Sequence, residues 1–345
     1  MVMQAALVTG KKEISLVEFD EPSSSDNHTV VAISYCGICG TDLHAFLSGE
    51  PYNPAICGHE WVGHVAAPSL QKNNFKEGDR VAIGVASACG SCSACLKGDG
   101  AHCESSFAGA TGRGPNAPKH GGFAPAIAFP TDRLYHVPKE LTDEQAGILE
   151  PATVAVHAMR RTEIRLGDTV VVIGAGPIGL LVAQCARLSG AGKLVVIEPE
   201  AGRRKLATQL GADITIDPTE EGHQDAIRDA LGSGADVVFE CAGIPATIQQ
   251  AIEMSRRGGQ VSLVGVANSL ATINPALWMV QEIKLVSSIA YLHEDFEITK
   301  GLVADGRIDL ETLHTSTVGL NEIQDAFDRL SSHPNEVKIL VNPNA

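Results

Sequence analysis

Positive charge is in short supply in this chain. Its 345 residues carry 26 Lys and Arg against 41 Asp and Glu, a formal net charge of −15. Such a surface repels nucleic-acid backbones and anionic membranes on average, so neither is expected as a partner, although a local basic patch is not excluded. Long apolar runs are missing as well, and no stretch approaches the length of a membrane-spanning helix. The first residues, MVMQAALVTGKKEISL, lack the charged, apolar and cleavage regions of an export signal, which makes the cytoplasm the expected location. Internal repeats and low-complexity tracts are absent too. What remains is 44% hydrophobic and 19% charged, a globular composition. The length is too great for one ordinary core and favours two domains.

The texture changes twice along the chain. The first 150 residues are rich in Gly and Pro, with short β-branched runs at Thr29 to Ile33 and Arg80 to Ile83 that predict a compact, mostly β domain. From about Asp168, apolar strands at Thr169 to Ile173, Leu194 to Ile197, Val237 to Phe239 and Val261 to Val264 alternate with helical stretches. That alternation predicts βαβ units around a parallel sheet. Beyond about Val286 the pattern loosens, and one helix is legible from Leu320, Ile323, Phe327 and Leu330 on one face. The expected division is residues 1–151, 152–289 and a return at 290–345.

Nine cysteines is an odd count without an export signal, and in a reducing compartment they are expected as thiols or metal ligands. Four of them, Cys89, Cys92, Cys95 and Cys103, form C-x2-C-x2-C-x7-C in a Gly/Ala/Ser loop at about residues 86–105. Four thiolates on short loops supply a closed tetrahedral shell for a structural zinc, and an iron–sulfur cluster is the rival occupant. A second donor set is scattered: Cys36 and Cys39 within Tyr35–His44, Cys57 to Glu60, and Glu150 in Leu-Glu-Pro. One Cys, one His and one or two carboxylates suit a catalytic zinc that keeps one position open. On the residues alone, Cys36/Cys39 also reads as a redox pair, and single His and Glu residues as ordinary polar groups.

Residues 168–188 run from a strand into Gly174-Ala175-Gly176-Pro177-Ile178-Gly179 and on into a helix. The first glycine permits the tight turn, the second lets backbone approach a pyrophosphate, and the third allows close helix–strand packing. The pyrophosphate is then met by free N–H groups at a helix N-terminus. Glu198 ends the next strand 19 residues beyond Gly179, where a carboxylate hydrogen-bonds a ribose 2′-hydroxyl and repels a 2′-phosphate. Glu200 adds negative charge, whereas Arg203 and Arg204 lean the other way. NAD is therefore expected ahead of NADP.

The four-cysteine lobe, Cys39-Gly-Thr-Asp, Gly58-His59-Glu60 and the glycine loop, in this order and spacing, resemble the medium-chain zinc-dependent alcohol dehydrogenases across essentially the whole chain. The resemblance implies a GroES-like β-rich catalytic domain formed by both chain ends, an inserted Rossmann domain, and an active site in the cleft between them. It implies two zinc ions per chain. The catalytic one would be held by Cys39, His59 and Glu60 or Glu150, with Asp42 fixing the tautomer of His59. Thr41 would accept the alcohol proton and pass it through the nicotinamide ribose to His44, and a homodimer or homotetramer would be the working form. Glu150 stands where the ethanol-type enzymes have cysteine, which resembles the sorbitol, butanediol and threonine dehydrogenases. The implied substrate is a small polyol, diol or amino-alcohol. The loop at residues 105–122 is expected at the pocket rim. A zinc- and nucleotide-binding sensor without turnover is the reading from another class, and it requires a missing ligand or relay residue; none is missing.

Overall fold

The computed structural model describes residues 2–71, 74–332 and 336–345. The chain divides into two compact units. Met1–Glu150, Leu292–Ala304 and His314–Ala345 form the first, Pro151–Tyr291 and Asp305–Leu313 the second.

The first unit opens with an antiparallel hairpin of β1 (Val2–Gly10) and β2 (Glu13–Asp20). Its sheet is then built from β3 (His28–Gly37), β4 (Glu60–Ala67), β5 (Arg80–Ile83), β6 (Ala126–Pro130) and β7 (Leu134–His136). The β-branched runs of β3 and β5 bury Val31, Ile33 and Val81 against Trp61, Phe123, Ile127 and Phe129. Trp61 meets Phe129 edge-on at 5.0 Å, a geometry favoured by the ring quadrupoles.

The second unit holds β8 (Thr169–Ile173), β9 (Lys193–Ile197), β10 (Ile214–Ile216), β11 (Ala235–Glu240), β12 (Ser255–Leu263) and β13 (Lys284–Ser287). Among the described residues they lie in the order β10-β9-β8-β11-β12-β13, every pairing parallel. This is the doubly wound order, in which strands are added outward first on one side of β8 and then on the other, and the switch point beside β8 is the usual place for a dinucleotide. Burial on both faces explains why Val170 to Ile173 and Leu194 to Ile197 are continuously apolar rather than alternating. The helix Pro177–Leu188 also buries every residue from Gly179 to Ala186, so its apolar surface is wider than the single stripe of Ile178, Leu181, Cys185 and Leu188.

The chain ends return to the first unit. β14 (His314–Gly319) and β15 (Lys338–Asn342) extend its sheet to β14-β15-β3-β4-β5-β7, with β6 also on β3. The helix Ile323–Ser332 buries Ile323, Ala326 and Phe327, while Leu320 sits in a 3-10 turn just before it. Residues 305–313, placed by the sequence pattern in the returning segment, pack instead with the second unit. Gln184 clamps them there: its amide donates to the Asp309 carbonyl at 3.0 Å and its oxygen accepts the Asp309 N–H at 2.7 Å.

Close packing in the second unit converges on Gly179, where an added Cβ would lie 1.8 Å from the Gly174 carbonyl oxygen. Gly179→Ala should therefore lower the stability of this unit by roughly 1–3 kcal/mol or more, as overpacking does. A urea midpoint equal to that of the wild type would contradict this packing.

Candidate active site

Two clusters of metal-binding donors occur among the described residues. In the first, one sulfur from each of Cys89, Cys92, Cys95 and Cys103 lies within 4.8 Å of the others. Cys92 and Cys103 are the N-cap residues of the short helices Ser93–Leu96 and Glu104–Ala110. The Cys92 and Cys103 sulfurs are 4.0 Å apart, close to the roughly 3.8 Å edge of a tetrahedron with metal–sulfur bonds of about 2.3 Å. A multi-iron cluster would hold its thiolates farther apart, so the arrangement fits a single ion.

Backbone N–H groups point at these sulfurs: Cys89 donates to Cys103 at 3.3 Å, Cys92 to Cys89 at 3.3 Å, and Ser106 to Cys103 at 3.4 Å. Hydrogen bonds from Ser105 and Ser91 hold the Cys89 thiol down at about 5. Cys95, by contrast, is pushed up to about 12 by burial and by the neighbouring sulfur of Cys92. Crowded thiolates repel one another, and a dication relieves that repulsion.

The second cluster joins Cys39, His59 and Glu60, again with donor atoms within 4.8 Å. Cys39 is the N-cap of the helix Gly40–Ser48 and accepts the Thr41 N–H at 3.4 Å. Asp42 completes the capping box by accepting the Cys39 N–H at 3.0 Å. Its other oxygen accepts Tyr52 Oη–H at 2.7 Å and the Gly58 N–H at 3.1 Å. Fully buried Asp42 thus ties the Cys39 turn to the Gly58-His59-Glu60 turn. Gly58 has φ +78°, and a Cβ there would press on Phe123 at 2.8 Å and on the Cys36 sulfur at 3.0 Å.

The tautomer of His59 is set differently from the expectation that Asp42 fixes it. His59 Nδ1 lies 2.8 Å from the Ile56 carbonyl, which only accepts, and 3.9 Å from Asp42. The proton therefore sits on Nδ1 and the Nε2 lone pair is free for a ligand. Without an ion, burial disfavours a charged His59, but Cys39, Asp42 and Glu150 outweigh it and raise its pKa well above the usual value; a dication at Nε2 would take the place of that second proton.

Glu150, at the start of the helix Leu149–Arg161, stands close enough for its charge to act on both His59 and Lys338. Lys338 is a residue that no sequence signal singled out. It is 1% exposed, pairs with the buried Glu60 through Oε2, and donates to the Ile38 carbonyl at 2.9 Å. Thr41 and His44 are both exposed, three residues apart on the same helix. Cys36 and Cys57 are buried in the core, and burial pushes both thiols up, which removes the redox-pair reading of Cys36 and Cys39. Asn53 donates to the Thr111 and Gly112 carbonyls at 3.0 and 2.9 Å, which holds the 105–122 loop against the segment before His59.

In the second unit the glycine loop has the predicted form. Gly174 has φ +93°, Pro177 is the first residue of its helix, and Gly176 has no atom within 4 Å of the place a Cβ would take. That open space fits a pyrophosphate against the helix N-terminus. Glu198 Oε2 accepts the Ala175 N–H at 2.6 Å and Oε1 the Glu200 N–H at 3.0 Å, which sets the carboxylate beside the loop. Arg204 is committed elsewhere, to Asp217 at 2.9 Å and to the Glu198 and Pro199 carbonyls.

Residues 25–139 match the alcohol dehydrogenase GroES-like domain, and residues 177–304 match the zinc-binding dehydrogenase family. A sorbitol dehydrogenase of Bacillus subtilis is 32% identical, over 99% of this chain and 98% of its own length. The chain belongs to the medium-chain zinc-dependent alcohol dehydrogenase family. A (R,R)-butanediol dehydrogenase of the same organism is 31% identical over 99% of this chain and all of its own. A zinc-binding dehydrogenase of Sinorhizobium meliloti bound to NADP superposes with a TM-score of 0.86 at 28% identity, covering 99% and 100% of the two chains. The family is one of zinc-dependent enzymes that act on CH–OH donors with a nicotinamide cofactor. No described helix is long and apolar enough to cross a membrane.

The Asp42 network gives a direct test. Tyr52→Phe removes one donor from a buried carboxylate, and stability should fall by about 1–3 kcal/mol. Denaturation of the variant at the wild-type midpoint would show that the Tyr52 bond contributes nothing.

Proposed function

We propose that this enzyme oxidises a vicinal diol, a polyol or a related amino-alcohol to the ketone, with NAD as hydride acceptor and two zinc ions per chain. The observation that carries the reading is the mixed donor set of Cys39, His59 and Glu60, with the charge of Glu150 added. Hard carboxylate oxygens replace the second thiolate of ethanol-type sites, and they can accept hydrogen bonds from a neighbouring substrate hydroxyl or amine. The 31–32% identity to enzymes named for sorbitol and butanediol supports the same substrate class.

A zinc held at Cys39, His59 and Glu60 or Glu150 would supply Lewis acidity to the alcohol oxygen, and bound NAD would take the hydride. The chain's own groups do the rest. Thr41 takes up the hydroxyl proton as it releases its own toward His44, which hands it to solvent. Asp42 and the Ile56 carbonyl keep the Cys39 and His59 donors oriented. Gly174, Gly176 and Gly179, with Pro177 and Ile178, bring the helix N-terminus to the pyrophosphate. Glu198 takes the ribose 2′-hydroxyl and Arg203 borders that site. The four-cysteine zinc is structural and contributes to folding.

The same reading includes a cytoplasmic location, where the thiolate ligands stay reduced, and a homodimer or homotetramer. The edge strand β13 exposes Leu285, with Met279, Val280 and Ile289 exposed nearby, a face that a second copy would cover.

Three outcomes are expected. Cys39→Ser should abolish turnover while the thermal melt stays near that of the wild type, whereas Cys103→Ser should lower the melting temperature by several degrees or more. Equal effects on the melt would merge the two sites' roles. Glu198→Ala should narrow the preference for NAD over NADP in kcat/KM, and a wild type that prefers NADP would reverse the cofactor assignment. Among 2,3-butanediol, sorbitol, threonine, 2-butanol and ethanol, one of the first three should lead. A site built to bond the second polar group discriminates by as much as about 10⁴ against analogues lacking it. A clear lead for ethanol would remove the polyol reading and leave the zinc dehydrogenase standing.

A further inference from the structure

A lysine at 1% exposure needs a reason, because an ammonium taken out of water costs several kcal/mol unless paired and hydrogen-bonded. Lys338 has partners from two segments nearly 300 residues earlier in the chain. Its Nζ donates to the Ile38 carbonyl at 2.9 Å and pairs with Glu60 Oε2. The fold prepares this meeting. β15 pairs antiparallel with β3, matching Leu340 to Gly37 and Val341 to Cys36, and the Ile38 N–H donates to the Ile339 carbonyl at 3.1 Å. Gly37 leaves room for the carboxylate, since a Cβ there would lie 2.5 Å from Glu60 Oε2. One ammonium therefore braces the residue before Cys39 and the carboxylate beside His59 together.

We propose that Lys338 is a positioning residue for the catalytic metal centre, which occupies one oxygen of Glu60 and restricts this carboxylate to a single donor oxygen. The inference rests on the metal reading of Cys39, His59 and Glu60. A carboxylate free to turn could offer both oxygens to a dication and fill the position that an alcohol oxygen requires. Lys338 prevents that in two ways. It holds Oε2 by a charge-assisted hydrogen bond, and its positive charge draws electron density from the carboxylate, which weakens Glu60 as a donor to a dication. Cys39, Glu60 and Glu150 all act on this ammonium, so it balances the cluster as a whole.

The experiment compares wild type, Lys338→Met and Lys338→Arg as full-length protein loaded with zinc, and again with cobalt(II) in the Cys39 site. The readouts are the rate of metal loss to a chelator, the visible absorption of the cobalt form, and kcat. Lys338→Met should lose the catalytic-site metal about tenfold more slowly or slower still, as expected when one nearby positive charge is removed. Its cobalt absorption should weaken as the coordination number rises, and kcat should fall. Lys338→Arg, which keeps the charge, should lose metal at the wild-type rate. Faster loss in Lys338→Met would make the lysine a scaffold only and overturn the proposal. An unchanged rate, or slower loss with an unchanged cobalt spectrum, would overturn it as well. If Lys338→Met does not fold, Lys338→Gln keeps a donor for Ile38, drops the charge and carries the same expectations. A wild type that binds no metal at Cys39, His59 and Glu60 would remove the centre itself, a different result from a metal-bound wild type whose variant behaves identically.

Discussion

The buried carboxylate of Asp42 ties together the two turns of the first unit that carry Cys39 and His59. Its two oxygens receive the Cys39 N–H, the Gly58 N–H and the Tyr52 hydroxyl, and His59 lies 3.9 Å away. Two turns that each carry a metal donor are thereby fixed relative to one another by one anion. Burial pushes its pKa up, while His59, Tyr52 and the two backbone donors favour the charged form. Asp42 also lies in the first turn of the helix Gly40–Ser48, where the N-terminal partial charge favours an anion. Cys39 is the N-cap of that same helix, so one element places both residues.

A second constraint is the density of negative charge. The chain carries −15 overall, and its two donor clusters concentrate thiolates and carboxylates at interatomic separations of 4.8 Å or less. The clusters meet this constraint in different ways. The four-sulfur lobe has four sulfur donors and backbone N–H groups aimed at the sulfurs, a closed shell suited to folding. The Cys39–His59–Glu60 cluster mixes soft, intermediate and hard donors and adds the internal cation Lys338. A site that supplies its own cation can hold several anions and still leave a metal open to substrate.

Much of this was legible in the sequence, for reasons that are local. Residues 169–173 are β8, and the glycine loop opens a helix as its spacing requires. The C-x2-C-x2-C-x7-C run closes on itself because its loops are too short to do otherwise. What stayed hidden depends on long-range registration. Lys338 is a lone lysine in an apolar run, and only the pairing of β15 with β3 carries it to Glu60. The Ile56 carbonyl that orients His59 is backbone, which leaves no mark in a residue pattern. Residues 305–313 cross back to the second unit through Gln184, a polar residue on a helix that otherwise reads as apolar. The fold brings a Glu60 oxygen within 4.8 Å of the Cys39 and His59 donors, and the charge of Glu150 also reaches His59.

The central claim is that both clusters are zinc sites of different character. X-ray absorption at the zinc edge, combined with anomalous diffraction from crystals of the purified enzyme, tests it most directly. The account predicts two zinc peaks per chain. One should be centred among Cys89, Cys92, Cys95 and Cys103 with four sulfur neighbours at about 2.3 Å, the other beside Cys39, His59 and Glu60 with one sulfur and lighter neighbours at about 2.0–2.2 Å. A single zinc peak per chain, or an iron edge at the four-cysteine lobe, would contradict it.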